Sequence, residues 1–336
     1  MVLQELERAI RRLDLAGRRV LVAVSGGVDS TVLVVGLAEL ARLHRLELTI
    51  GHVNHGLRGA ESTADEHAVR TLAGKLGVPV AVETIDPHAL RSEGPSRDRP
   101  TLQEAARTLR YRALRALCAR FEAAPIATAH NADDQAETVL LRLLRGTGPD
   151  GLGGIPEQSP DAAVVRPLLR VARRDIEAFA RERDLEWRED TSNRNSDYAR
   201  NRLRHHWLPG LTREFNPQLL RVVADLAEAQ RRDSEWIEAQ VQREAQLRFE
   251  SDGKWLRIDI KDWSRLPEAL ARRLARLALQ RCGAGRNVTR VHLQRMCAFL
   301  ADARVGTVIE LPGDLRLERD SAACRLGPVA PGGDSR

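Results

Sequence analysis

Five apolar residues, Val20–Val24, stand between Arg19 and Ser25 and predict a short, fully buried strand. Similar runs recur at Leu48–Val53, Val78–Val82, Ile126–Ala129 and 163–166. Between them the apolar positions return at helical spacing, over 1–15, 31–43, 61–76, 101–122, 133–144 and 172–184. Strands that alternate with helices in this way predict an α/β fold, a five-stranded parallel sheet with helices on both faces. The stretch 87–100, rich in Pro, Ser and Arg, reads as a mobile loop. Beyond about residue 215 the texture changes. Residues 216–249 form one long, charged helical pattern. A strand at 255–260, helices at 268–281 and 289–302, and short strands at 307–311 and 315–319 follow it. The expected organisation is a domain over 1–212, a helical linker over 213–249 and a smaller α+β domain over 250–330. No internal repeat is visible.

At 336 residues and 43% hydrophobic residues the chain can bury the cores of two domains. No apolar run approaches the roughly 20 residues a membrane span needs, so no membrane role is expected. The N-terminal segment alternates charged and apolar residues and lacks the apolar core of a secretory signal. Cys118, Cys282, Cys297 and Cys324 are scattered and form no CxxC pair, which suggests neither a disulfide framework nor a metal cluster and fits a reducing cytoplasm. The net charge of +6 and the pI near 9.6 favour a polyanionic partner. Fifty of the 53 basic residues are arginine, a bias that GC-rich coding would explain. The three lysines, Lys75, Lys254 and Lys261, all lie far from the stretch that carries the chemistry.

That stretch is "VLVAVSGGVDS", residues 20–30. A glycine turn that leaves a strand and opens a helix presents backbone N–H groups and the positive helix end to an anion. Ser25, Gly26, Gly27, Val28 and Ser30 are therefore candidate phosphate ligands. Asp29 repels phosphate and fits there only through a cation, with Mg²⁺ the natural choice. The string lacks the lysine of GxxxxGK[ST] and is not GxGxxG. The plainer reading is a tight strand-to-helix turn with a serine cap.

Four further stretches carry polar clusters. "HVNHGLR" (52–58) follows the second strand at the rim where α/β sheets bind ligands, and His52 and Asn54 are candidates to line a nucleotide site. A structural turn is the alternative, and zinc lacks further ligands nearby. In "EAARTLRY" (104–111), Glu104, Arg107 and Tyr111 share a helix face, either as a surface ion-pair face or with Arg107 bound to phosphate. In "TAHNADDQAET" (128–138), Asp133, Asp134 and Glu137 crowd the start of a helix, where carboxylates offset the dipole. The same three could hold Mg²⁺ or an ammonium group. Arg142 and Arg145 follow on that helix. "EDTSNRNSDYARNRLRHHWLP" (189–209) mixes amide and guanidinium groups suited to RNA, with a solvated helix end as the alternative.

SGGVDS resembles the PP-loop of the N-type ATP pyrophosphatases. The succession "HVNHGLR", "TAHNADDQAET…RLLRGTG…GLGGI", "RPLL" and "DTSN…RN" narrows this. From about residue 18 to 209, and more loosely through "LPGDLRLERD", the chain resembles the tRNA(Ile)-lysidine synthetase family. It is shorter than that family's longer members, as if a further C-terminal domain were missing. The resemblance implies a Rossmann-like PP-loop ATPase domain and a tRNA-binding small domain. The reaction implied uses Mg²⁺ and ATP to adenylate O2 of the wobble cytidine of an isoleucine tRNA with anticodon CAU. The ε-amine of free L-lysine then displaces AMP. Asp29, Asp134, Glu137 and Arg107 become catalytic candidates, and Asp29 and Asp133 metal ligands. Ser25–Ser30, His52, Asn54 and His130 become ATP ligands, and Arg58, Arg145, Arg200, Asn201 and Arg204 tRNA contacts. The arginine-rich helix 268–281 either only folds or also touches the acceptor stem. The long helix leaves a homodimer open.

Three other readings share the loop. A PP-loop tRNA thiolase would want paired cysteines, and the nearest pair, Cys282 and Cys297, lies outside the loop's domain. A non-catalytic, ATP-gated tRNA-binding protein would not need the carboxylates. GMP or NAD synthetases would not call for the basic small domain.

Overall fold

The structure is a computed structural model that describes residues 1–56, 60–92, 99–188, 199–284 and 288–329, with the backbone alone at 60, 91 and 92. The chain divides into two compact units, Met1–Arg231 and Arg232–Arg336. The division falls within the long helix that makes up most of the stretch read as a linker.

The first unit is built on a five-stranded sheet, ordered β3-β2-β1-β4-β5. Its strands are β1 (Arg19–Ala23), β2 (Glu47–Asn54), β3 (Val80–Thr84), β4 (Ile126–Ala127) and β5 (Val164–Val165), every neighbouring pair parallel. This is the expected architecture. Val20, Leu21 and Val22 of β1 are buried, because the central strand is covered on both faces. Helices α1 (Val2–Arg12), α2 (Val28–His44) and α3 (Ala60–Leu76) follow the first half of the chain, and α5 (Leu102–Arg120), α6 (Ala132–Leu144) and α8 (Arg173–Glu182) the second. One core joins Leu6 and Ile10 of α1, Val32 and Leu33 of α2, and Ile176 of α8 to the sheet. A second lies against α5, with Leu21, Leu114, Leu117 and Ile126. The strand order reverses between β1 and β4, which opens a crevice at their carboxyl ends.

Short elements depart from the pattern reading. Pro87–Ser92 is a helix, α4, where a loop was expected. Asp86 accepts hydrogen bonds from the amides of His88 and Ala89, and Pro87 has the fixed φ of a first helical position. Residues 93–98 of that loop lie outside the described residues. Pro149–Leu152 forms a single helical turn, α7. Ala199–Arg202 (α9), a π-helical turn over Leu203–Trp207 and α10 (Leu208–Glu214) carry the end of the 189–209 string.

Helix α11 (Leu219–Arg248) is shared by the two units. Its Val223 and Ala227 pack with Ala136 and Val139 of α6 in the first unit. Its Val241 and Ala245 enter the core of the second. The second unit carries an antiparallel sheet ordered β6-β7-β10-β9-β8, from β6 (Phe249–Asp252), β7 (Trp255–Ile258), β8 (Val308–Leu311), β9 (Leu315–Arg319) and β10 (Cys324–Pro328). Helices α12 (Glu268–Arg281) and α13 (Arg290–Asp302) cover one face, with Leu274, Leu279, Met296 and Leu300 packed on Leu256, Leu317 and Leu326. Strands β6 and β10 escape the pattern reading, since each carries few apolar residues. Among the described residues no helix is long and apolar enough to cross a membrane.

Candidate active site

The loop after β1 and the loop after β4 meet at the crevice. Gly26 takes φ +92°, a left-handed conformation that only glycine adopts without strain. Gly27 caps α2 with extended backbone and offers no side-chain bond to the first turn. By contrast α5 and α6 close their first turns with capping boxes. The first-turn amides of α2 are thus left for an anion. Ser25 is exposed, but Ser30 is buried and braces the loop from within. Its hydroxyl donates to the Gly27 carbonyl at 2.9 Å and accepts from the Ser25 amide at 3.1 Å. His52 is buried too, and its Nδ1–H donates to the Val24 carbonyl at 2.8 Å. It holds the root of the loop in place. Asn54 makes a local turn, accepting the Gly56 amide at 2.9 Å, and its amide lies 3.4 Å from Glu66.

The acidic cluster of α6 divides its work. Asp134 closes a capping box with Asn131 through one oxygen, at 3.1 Å, while its other oxygen faces two arginines. Asp133 accepts the backbone N–H of Arg173 at 2.9 Å and so caps α8. Burial pushes its carboxyl above the ordinary range. Glu137 is almost inaccessible, its side chain 2% exposed. Arg200 donates to Glu137 at 2.8 Å and to Asp134 at 2.8 Å. Arg204 donates to Glu137 at 2.5 and 2.9 Å and to Asp134 at 3.0 Å. Two guanidinium groups thus clamp two carboxylates. Asp133 and Asp134 thus cap helices, and Asp134 and Glu137 face arginine side chains.

Asp29 joins this cluster to the glycine loop. One of its oxygens accepts from Asn131 Nδ2 at 3.0 Å, and the other is ion-paired with Arg173. Burial pushes the Asp29 carboxyl up to about 6, against the opposing pull of Arg173. A carboxylate held in so unfavourable a field gains from a cation beside it. Asp29 and Asp133, hard oxygen donors both tied to Arg173, fit Mg²⁺ in chemistry.

His130 shares a 3.0 Å hydrogen bond with Thr128. Burial pushes its pKa down to about 4; Asp134 opposes this, while Arg166, Arg110 and Arg107 add to it. The ring is neutral at pH 7. Arg107 is exposed, its guanidinium 5.2 Å from the centre of the Tyr111 ring. Arg110 is held below its ordinary pKa by burial and Arg166 likewise. The glycine-rich stretch after α6 is fixed by Arg142, which donates to the carbonyls of Gly151 and Gly154 at 3.0 and 2.8 Å. Gln135 clasps Ile155 from both sides.

The structure thus gathers Ser25–Ser30, His52, His130, Asp133, Asp134, Glu137, Arg200 and Arg204 around one crevice. Arg145 sits exposed at the end of α6, and Asn201 is half-buried on α9. Arg58 lies outside the described residues, as do Asp190, Ser192 and Asn193 of the 189–209 string. Sequence reasoning assigned nothing to Arg173 or Asn131. Arg173 lies just past the "RPLL" string, but only the fold brings it to Asp29, 144 residues away. The cysteines are free thiols. Burial raises Cys118, which belongs to this unit, to about 11, the opposite of an activated thiol.

Residues 2–211 match the family described as PP-loop domain, and residues 258–322 the family described as TilS substrate binding domain. A tRNA(Ile)-lysidine synthase of Solibacter usitatus is 38% identical over 317 residues, 93% of this chain and 68% of that protein. One from Symbiobacterium thermophilum is 37% identical, with 94% and 66% covered, and one from a Nostoc species 38% identical, with 89% and 84%. The chain therefore spans about two thirds of the length of the first two and more of the third. Among solved structures, the U34-tRNA thiolase NcsA of Methanococcus maripaludis superposes with a TM-score of 0.52 at 17% identity, covering 68% of this chain and 79% of its own. That likeness shows the fold alone.

Proposed function

The chain belongs to the tRNA(Ile)-lysidine synthase family, and from that premise we propose that it joins free lysine to the wobble cytidine of a CAU-anticodon isoleucine tRNA at the expense of ATP. The observation that carries this reading is the meeting of the uncapped PP-loop with the α6 carboxylates, bridged by Asp29, Asn131 and Arg173.

In this reading the amides and hydroxyls of Ser25–Ser30 cradle the pyrophosphate end of ATP, with His52, Asn54 and His130 around the nucleotide. Asp29 and Asp133 would hold Mg²⁺, which neutralises polyphosphate charge when bound. The cytidine O2 attacks the α-phosphorus and pyrophosphate leaves. Arg107 stabilises charge on the phosphate. The lysine ε-amine then attacks C2, its proton is lost, and AMP departs with the O2 oxygen. Asp134 and Glu137 hold the lysine ammonium groups and take up that proton. Arg200 and Arg204 hold both carboxylates in position until lysine arrives. Arg58, Arg145, Arg200, Asn201 and Arg204 contact tRNA. For Arg200 and Arg204 that contact requires an exchange of Asp134 and Glu137 for RNA phosphate. Neutral His130 donates or accepts a hydrogen bond without adding charge.

The test is an incubation of the chain with CAU-anticodon tRNA(Ile) transcript, Mg-ATP and radiolabelled lysine, followed by nucleoside analysis. Label in the wobble nucleoside, stable to mild base that strips aminoacyl esters, is the expected result. AMP release that depends on tRNA without incorporation of label would move the reading to another nucleophile.

A further inference from the structure

Both carboxylates assigned to Mg²⁺ are held by one residue. Arg173 reaches Asp29 with its guanidinium and Asp133 with its backbone N–H. Its Nε donates to Glu177, one turn along α8, at 3.0 Å. The second oxygen of Asp29 is taken by Asn131. A guanidinium and a divalent cation cannot share one half-buried carboxylate without strong repulsion. The backbone bond to Asp133 anchors Arg173 at its Cα, so its side chain can leave Asp29 while α8 stays in place. Glu177, already in contact, is where a displaced guanidinium finds a counter-charge.

We infer that Arg173 is a positioning residue, a resident cation that occupies the Asp29 carboxylate in the ligand-free enzyme and moves to Glu177 when metal–nucleotide binds. The inference rests on the assignment of Asp29 to the metal. It explains how a half-buried carboxylate stays poised between turnovers without collapsing onto a permanent partner. Arg173 is 37% exposed on its side chain and Asp29 23%, so the pair is open enough to exchange. Arg204 also bears on Asp29 electrostatically, so the carboxylate keeps one cationic neighbour when Arg173 departs.

The test compares binding of α,β-methylene-ATP with and without Mn²⁺, by calorimetry, across variants. The metal-dependent part of the affinity is the readout. Arg173→Met removes the competitor and should strengthen that part roughly fivefold, the scale of a partly exposed ion pair. Glu177→Ala removes the receiving site and should weaken it. The double variant should behave as Arg173→Met alone. Circular dichroism checks that each variant is folded, and Arg173→Gln, which also removes the charge, serves if Arg173→Met is not. Unchanged or weaker metal-dependent binding in folded Arg173 variants overturns the inference while leaving the metal assignment standing. Metal-dependent binding that persists in Asp29→Asn overturns the assignment and the inference with it.

Discussion

Replacing Glu137 with glutamine is the sharpest single perturbation of this site. The change keeps shape and removes charge. Glu137 accepts three charge-assisted bonds, from Arg200 at 2.8 Å and from Arg204 at 2.5 and 2.9 Å. A glutamine retains one acceptor and turns an NH₂ group toward a guanidinium, donor against donor. Removing one partner from a fully buried pair costs about 3–5 kcal/mol. Here the arginines are 40% and 32% exposed, so water recovers part of the loss, and Asp134 still holds both. The net cost should be about 2 kcal/mol. For a unit of this size that lowers the thermal midpoint by roughly 4–8 °C. A double-mutant cycle with Arg204→Met should show coupling on the order of 1 kcal/mol. In function, the variant should release pyrophosphate from ATP and tRNA nearly as fast as wild type. Lysine incorporation should fall about 10- to 100-fold, the worth of one charged hydrogen bond. A midpoint indistinguishable from wild type, with additive effects of Glu137→Gln and Arg204→Met, would refute the clamp. Lysine dependence that does not change would remove Glu137 from the amine site.

Burial pushes Asp29 up to about 6, so between about pH 4 and 6 the folded chain holds a proton that the unfolded chain has released. Its contribution to stability is present at low pH and is lost as pH rises through 6. Asp29→Asn should therefore gain stability relative to wild type as pH rises from 4 to 6 and hold a constant gap above that; a gap that shrinks with pH contradicts the assignment. Gly154 takes φ +62°, and an added Cβ would sit 2.4 Å from Gln135 Oε1. Gly154→Ala should cost about 2–3 kcal/mol in chemical denaturation, from left-handed strain and displaced hydrogen bonds between Gln135 and Ile155; a neutral result would mean the glycine stretch is not clasped. With Cys118 raised to about 11, native protein should alkylate it slowly with iodoacetamide, and Cys118→Ser should keep full activity. Loss of activity in that variant would reopen sulfur transfer.

The alternation of apolar runs and helical spacing was sufficient for the parallel sheet, because buried strands and amphipathic helices are written in nearest-neighbour periodicity. The glycine loop was legible for the same reason: its chemistry lies in backbone amides at one strand-to-helix turn, and six consecutive residues encode it. The acids of α6 were visible as a cluster within one helical turn. Their partners were not. Arg200 and Arg204 lie 63 to 70 residues further along and read as RNA contacts, since nothing local to them indicates Asp134 and Glu137. Arg173 looked like one arginine in an arginine-rich chain until α8, which follows β5, packed into one core with α2 and set its first residue beside Asp29. Burial settled the rest. The raised Asp29, the neutral His130 and the inert Cys118 follow from what surrounds each group in space, which sequence order alone does not specify.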